Sequence, residues 1–217
     1  MVLAILCLRL AFAQTAAAPV RLYPVDDSDR DPAFHSYVHK LQAAVTRRDT
    51  AALRKLVDTK EVVVGADKED KGWSKFVERW QPQDRDHSPL WPALSTLLSL
   101  GFVQEHPRLF LSPYLVWRFP RELPVRDPLV VIREKAPLRA APSARADVVA
   151  YLSFEIVERL RLPQQPDDFV QWVYVRSSGG KTGYVDATDV MSPAMPRAQF
   201  GMHDGRWLLI ALESSGE

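Results

Sequence analysis

Apolar residues recur at helical spacing in the first half of this chain and at strand spacing in the second. Phe34, Tyr37, Val38, Leu41 and Val45 form one stripe at intervals of three and four. Asp31-Pro32 precedes the stripe, a capping carboxylate followed by a proline where no N–H is needed. Arg47-Arg48 closes it, cations at the end of the helix dipole that favours them. Asp49 or Thr50 can cap a second short helix carrying Leu53, Leu56 and Val57. Glu61 to Val64 reads as a short strand ended by Gly65. Trp73, Phe76, Val77 and Trp80 repeat the helical interval. A further helix starts between Ser88 and Pro92 and runs through Leu94, Leu97 and Leu98 to a stop at Gly101. Phe110 to Phe119 reads as one aromatic strand, held to an edge by Pro113. The stretch Arg21 to Arg30 reads as a loose polar lead-in.

Pro120, Pro124 and Pro128 form a stiff connector, after which the period becomes two. Val130 to Ile132, Val148 to Leu152, Ile156 to Leu160, Phe169 to Val175 and Thr182 to Val185 are short β-patterned segments separated by turn residues, the signature of a small barrel. Arg197 to Met202 and Trp207 to Leu212 flank Asp204-Gly205, a strong hairpin signal. A hairpin alone is not stable in water, so this one is expected to dock on the N-terminal domain. The expected organisation is a leader over 1–18, a helix-rich α+β domain over 31–120, a barrel over 125–191 and a hairpin over 197–213.

Composition narrows the reading. An apolar share of 47% with 25% charged residues is that of an ordinary globular protein. No run of apolar residues is long enough for a membrane helix, so no transmembrane anchor is expected. Val2 to Ala13 is apolar apart from Arg9, and Ala11-Phe12-Ala13 offers small residues where a signal peptidase reads. Export is therefore expected, to a periplasmic or extracellular location. The single cysteine, Cys7, falls inside that leader, so the mature chain would carry no disulfide and no thiolate chemistry. Charges balance at 28 basic against 27 acidic residues, with eight of each sign between Leu129 and Met191, which argues against a nucleic-acid partner.

Leu138-Arg139 with Pro142-Ser143, Trp172, and the run Gly179 to Val185 ending in Gly183-Tyr184-Val185 resemble the opening loop, tryptophan-bearing strand and closing hairpin of bacterial Src-homology-3-type (SH3b) domains of exported proteins. The resemblance covers about sixty residues. It implies a binding or targeting module, directed at the cell wall or at protein partners. The helix-rich first half and the final Asp-Gly-Arg-Trp hairpin resemble, more weakly, cone-shaped α+β folds of the nuclear-transport-factor type. The expected fold class is thus α+β: a mostly helical N-terminal domain with a minor sheet, a small SH3-like β-barrel and a C-terminal β-hairpin.

Candidate chemistry is sparse. His35 and His39 stand four apart, but they lie off the apolar stripe with no third ligand and read as solvated; no metal site is assigned. His87, His106 and His203 are isolated. No nucleophile elbow, phosphate loop or dinucleotide fingerprint is present, and Asp26-Asp27 and Asp167-Asp168 sit in expected loops. No catalytic residue and no cofactor is assigned. The constellation that remains is Tyr151, Tyr174, Tyr184 and Trp172, rings that could line a groove for an extended ligand or fill the barrel. The expected function is that of a non-enzymatic binding protein recognising a cell-wall or other envelope component, or a protein partner. The alternatives are a ligand-binding or enzymatic N-terminal domain with the barrel as accessory, and a purely structural role in an envelope assembly.

Overall fold

A computed structural model describes residues 18–65, 69–161 and 171–214. The expected leader, Ala18 excepted, and the expected Pro163–Asp168 turn lie outside the described residues. Helix α1 (Pro32–Thr46) begins where the Asp31 carboxylate accepts the Ala33 and Phe34 N–H groups at 2.8 and 2.9 Å. Helix α2 (Thr50–Arg54) is capped likewise by Asp49, which accepts from Ala52. Helices α3 (Trp73–Trp80) and α4 (Leu90–Ser99) follow, and the Ser88 hydroxyl accepts the Leu90 N–H at 3.2 Å.

Strands β1 (Val103–His106) and β2 (Leu109–Ser112) come next, then a one-turn helix α5 (Tyr114–Trp117). The second sheet interposes β3 (Pro128–Val131), β4 (Ala136–Arg139), β5 (Val148–Leu152), β6 (Ile156–Arg159), β7 (Trp172–Arg176), β8 (Thr182–Asp186) and β9 (Val190–Met191). The chain closes with β10 (Arg197–His203) and β11 (Arg206–Glu213). Between these two, Asp204 and Gly205 both take positive φ, the backbone that a tight hairpin turn needs.

The first sheet runs β1-β2-β10-β11. Strand β10 pairs with β2 from Ala198↔Ser112 to Gly201↔Leu109. The segment after α2 lies along β11: Leu209 N–H donates to Leu56 O, Asp58 N–H to Leu209 O and Val63 N–H to Ile210 O, all near 3 Å. Between this sheet and the helices sits an aromatic core. Phe34 stacks on Phe110 at 3.7 Å and meets Trp207, Phe102 and Phe200 edge-on at 5.0, 5.2 and 5.7 Å.

These observations overturn the expectation of a mostly helical N-terminal domain with a minor sheet. The molecule is 26% helix and 31% strand, distributed over two sheets of four and seven strands. Two misreadings account for the difference. Strand β1 is short, with a polar outer side, and gives no hydrophobic period. Phe110 to Phe119 is not one strand: Pro113, with no N–H to donate, ends β2, and the chain then coils into α5.

The second sheet runs β5-β4-β8-β7-β6-β3-β9, all antiparallel. One buried cluster draws on every strand: Leu129 and Val131, Ala136 and Leu138, Leu152, Val157, Val175, Val185 and Val190. The sheet therefore curls around its own interior, with β5 and β9 at the ends of the order. Its other face is divided. On β3 and β6, Val130 and Ile156 pack against Leu22, Val103, Tyr114 and Leu115, which joins the two sheets through a shared apolar layer.

The expected loose lead-in is a bonded strap instead. Leu22 N–H donates to Phe154 O and Ile156 N–H to Val20 O, while Asp27 N–H donates to Phe102 O and the Asp27 carboxylate accepts Gln104 N–H. Gly101, at φ +72°, lets the strap pass: a Cβ there would stand 2.4 Å from Val25 O. Beside the strap, Glu155 is buried, and burial pushes its carboxyl above the ordinary range against the opposing pull of Arg21.

Two tests follow from this architecture. Phe34→Ala, which leaves a cavity at the centre of the aromatic core, should cost about 3–5 kcal/mol in urea denaturation. The folded state holds the Glu155 proton to higher pH than the unfolded chain does. This contribution is therefore present below the ordinary carboxyl range and is lost as pH rises through the folded value. Glu155→Gln should flatten that decline in denaturation midpoints measured between about pH 4 and pH 8.

Candidate ligand-binding face

The period of two on each strand fixes which residues the second sheet turns outward. Val173 and Val175 face the interior of the sheet, so Trp172, Tyr174 and Arg176 lie on its other side. On β8, Val185 is interior, and Thr182, Tyr184 and Asp186 face out. On β4, Ala136 and Leu138 are interior, and Pro137 and Arg139 face out.

Register then assembles a row. Tyr174 pairs with Tyr184, their rings 4.8 Å apart and inclined at 49°, and Tyr184 pairs with Arg139 on the next strand. Both tyrosines are half-buried. The Arg139 guanidinium donates from Nη1 to Ala146 O at 2.7 Å, while its Nε is buried without a hydrogen-bond partner. Tyr151 pairs with Pro137 and stands on the same side one strand further out, with 66% of its surface exposed. The structure thus brings Tyr174 and Tyr184 into ring contact and places Tyr151 two strands from Tyr184. Trp172 shares their face opposite Asp186 but is buried, so it supports the row more than it offers surface.

Charges border the row. Arg176 reaches Glu158 across β6 and β7 at 3.0 Å. Asp186 is held below the usual carboxylate range, chiefly by hydrogen bonds from the Thr188 hydroxyl and N–H. Strand β5 carries no charged residue, and Val148 and Val149, each 39% exposed, extend the apolar surface beyond Tyr151. Lys181 Nζ lies 3.5 Å from Val149 O beside this edge.

Sequence reasoning did not place Arg139 at this site, because Pro137 to Ser143 read as a loop. Ala136 to Arg139 is strand β4, and Pro137 is tolerated there because β4 meets β8 through the single register pair Arg139↔Tyr184. Period-two alternation from Ala136 to Arg139 was the signal available. Gly183 permits this approach: a Cβ on it would lie 2.6 Å from Arg139 O and 2.9 Å from Leu138 Cγ.

The first unit presents surface clefts of a different kind. One of about 520 Å³ is lined by Arg48, Arg85, His87, Ser88 and Trp91. Its Ser88 hydroxyl donates to Trp80 O and accepts Leu90 N–H, a helix-start role rather than that of a nucleophile. Another of about 590 Å³ lies beside Arg54 and Trp73, with the Arg54 guanidinium 5.5 Å from the indole ring. Among the described residues, no group of three or more His, Cys, Asp or Glu is placed to hold a metal ion. Among them, too, no helix is long and apolar enough to cross a membrane.

No family model, curated protein or solved structure matches this chain.

The close passage of β8 over β4 is testable by itself. Gly183→Ala must push away the Arg139 carbonyl, a backbone atom, as well as the Leu138 side chain, and should cost about 2–3 kcal/mol in chemical denaturation.

Proposed function

We propose that this chain is a non-enzymatic, exported binding protein whose C-terminal sheet belongs to the bacterial SH3-like kind. Its outward row of Arg139, Tyr184 and Tyr174, continued by Tyr151, takes an extended ligand, either a cell-wall or other envelope component or a segment of a partner protein. The observation that carries this reading is the division of the sheet's outer face. Its β3–β6 half is covered by the apolar layer that joins it to the first unit, while its β4–β8 half keeps aromatic rings at the surface. Flat rings offer apolar contact area with little rotamer entropy to lose, and the neighbouring guanidinium adds directional donors. An uncharged edge strand beside them gives an extended ligand backbone groups to follow.

The competing reading, a pocket in the first unit, has less support. The space between α1 and the β10–β11 hairpin is filled by Phe34, Phe110, Phe200 and Trp207.

Capture of the full chain and its single variants by purified cell wall, and by envelope extracts with known components, tests the proposal. Tyr151→Ala and Tyr184→Ala should each weaken capture about tenfold or more, as loss of an aromatic anchor does. Thermal midpoints of the same variants separate lost contact from lost fold. Equal capture of the wild-type chain and both folded variants overturns the assignment of this face.

A further inference from the structure

A second feature stands apart from the aromatic face, at the first turns of α1. His35 and His39 converge there, with Nε2 of one 2.7 Å from Nε2 of the other and their rings inclined at 75°. On the far side of His35, the Asp29 carboxylate lies 2.5 Å from Nδ1. A carboxylate in that position keeps a proton on Nδ1 and leaves the Nε2 lone pair directed at His39. Neither ring is part of the apolar core. The His35 side chain is 45% exposed, so water has access to the space around both nitrogens. The neighbouring cation is neutralised locally, since Arg30 is held by Asp27 at 3.0 Å.

We infer that His35 and His39 form a two-imidazole chelate for a divalent copper ion, with Asp29 as the positioning residue and water in the remaining coordination places. The separation of the nitrogens selects the metal geometry. Metal–nitrogen bonds of about 2.0–2.1 Å at a right angle place cis nitrogens about 2.9 Å apart, whereas a tetrahedral angle places them at about 3.4 Å. The pair at 2.7 Å needs only a small side-chain rotation to meet the first value. Tetragonal nitrogen and oxygen coordination is the preference of Cu(II), which also binds such donors more tightly than the other divalent first-row ions. On binding, the ion sits off the line between the two nitrogens and displaces the hydrogen they share. His39 then carries its proton on Nδ1, and no bond beyond the two metal–nitrogen bonds is required of the protein.

Such a chelate would stiffen the first turns of α1 and, through Asp29, fasten the strap to the helix. It involves no residue of the β4–β8 face, so it stands or falls independently of the proposed ligand.

The test is titration of Cu(II) alone into the full chain, prepared without an affinity tag, followed by calorimetry and by electron paramagnetic resonance. Wild type should show one site with two-nitrogen coupling. His39→Ala should lower its affinity on the order of a hundredfold, the advantage of a tethered second donor. Asp29→Asn should lower it about tenfold while retaining the two-nitrogen spectrum. Helical circular dichroism checks that the variants fold. Equal Cu(II) binding by wild type and the His35→Ala/His39→Ala double variant overturns the site. An unchanged affinity in Asp29→Asn overturns the role given to that carboxylate.

Discussion

The aromatic core of the first unit cannot close until the end of the chain returns to it. Phe110 and Phe200 are register partners ninety residues apart in sequence, and both pack against Phe34 near the start of the fold. Strands β1 and β2 alone would be a two-stranded ribbon with one apolar face, which water does not tolerate as a stable element. Strand β11 in turn supplies the backbone partners of Leu56, Asp58 and Val63. The hairpin is thus the shared wall of the first unit. Ordering so long a loop is entropically costly and slows folding, and a compact β unit inside that loop shortens the distance its ends must span.

This arrangement gives the second sheet its orientation. The sheet leaves the first unit after α5 and re-enters it at β10, and between those points Val130 and Ile156 press against Tyr114, Leu115 and Val103. The strap adds a third attachment, bonded to Phe154 and Ile156 on one side and to Phe102 and Gln104 on the other. A module tied at both ends, along one face and by a strap is a poor candidate for free swinging. It is a good one for presenting its opposite face in a fixed direction.

Local chemistry was legible in the sequence where the cause was local. Asp31-Pro32 and Asp49 mark helix starts because a carboxylate and the N–H groups it serves are neighbours in the chain. Asp204-Gly205 marks a turn because positive φ at both positions is a property of those residues. Most second-sheet strands show their alternation for the same reason. What escaped was set at a distance. Strand β1 exists because β2 needs a partner, the contact of β4 with β8 because Gly183 lets the two approach, and the strap because Gly101 and Phe102 receive it. The aromatic residues were visible as a set. Their arrangement was not, since the pairing of Tyr174 with Tyr184 and of Tyr184 with Arg139 depends on register between strands that sequence does not number.

The composition of the sheet's two faces explains why rings remain at the surface. The interior is filled by Val, Leu and Ala from seven strands curled round a small volume, where a tyrosine would overpack and would leave its hydroxyl without a partner. Aromatic residues on these strands are therefore restricted to the outer side. On β3 and β6 the outward Val130 and Ile156 are covered by the first unit, with Glu158 beyond them at the border with β7. On β4, β7 and β8 the outer side carries the aromatic rings with Arg139 and Arg176, and Asp186 at one end, and among the described residues three of the five exposed large apolar side chains lie on the adjoining strand β5. Core packing alone accounts for the exclusion of these rings from the interior. It does not account for their alignment in register beside Arg139. That alignment is the feature on which the proposed binding face rests.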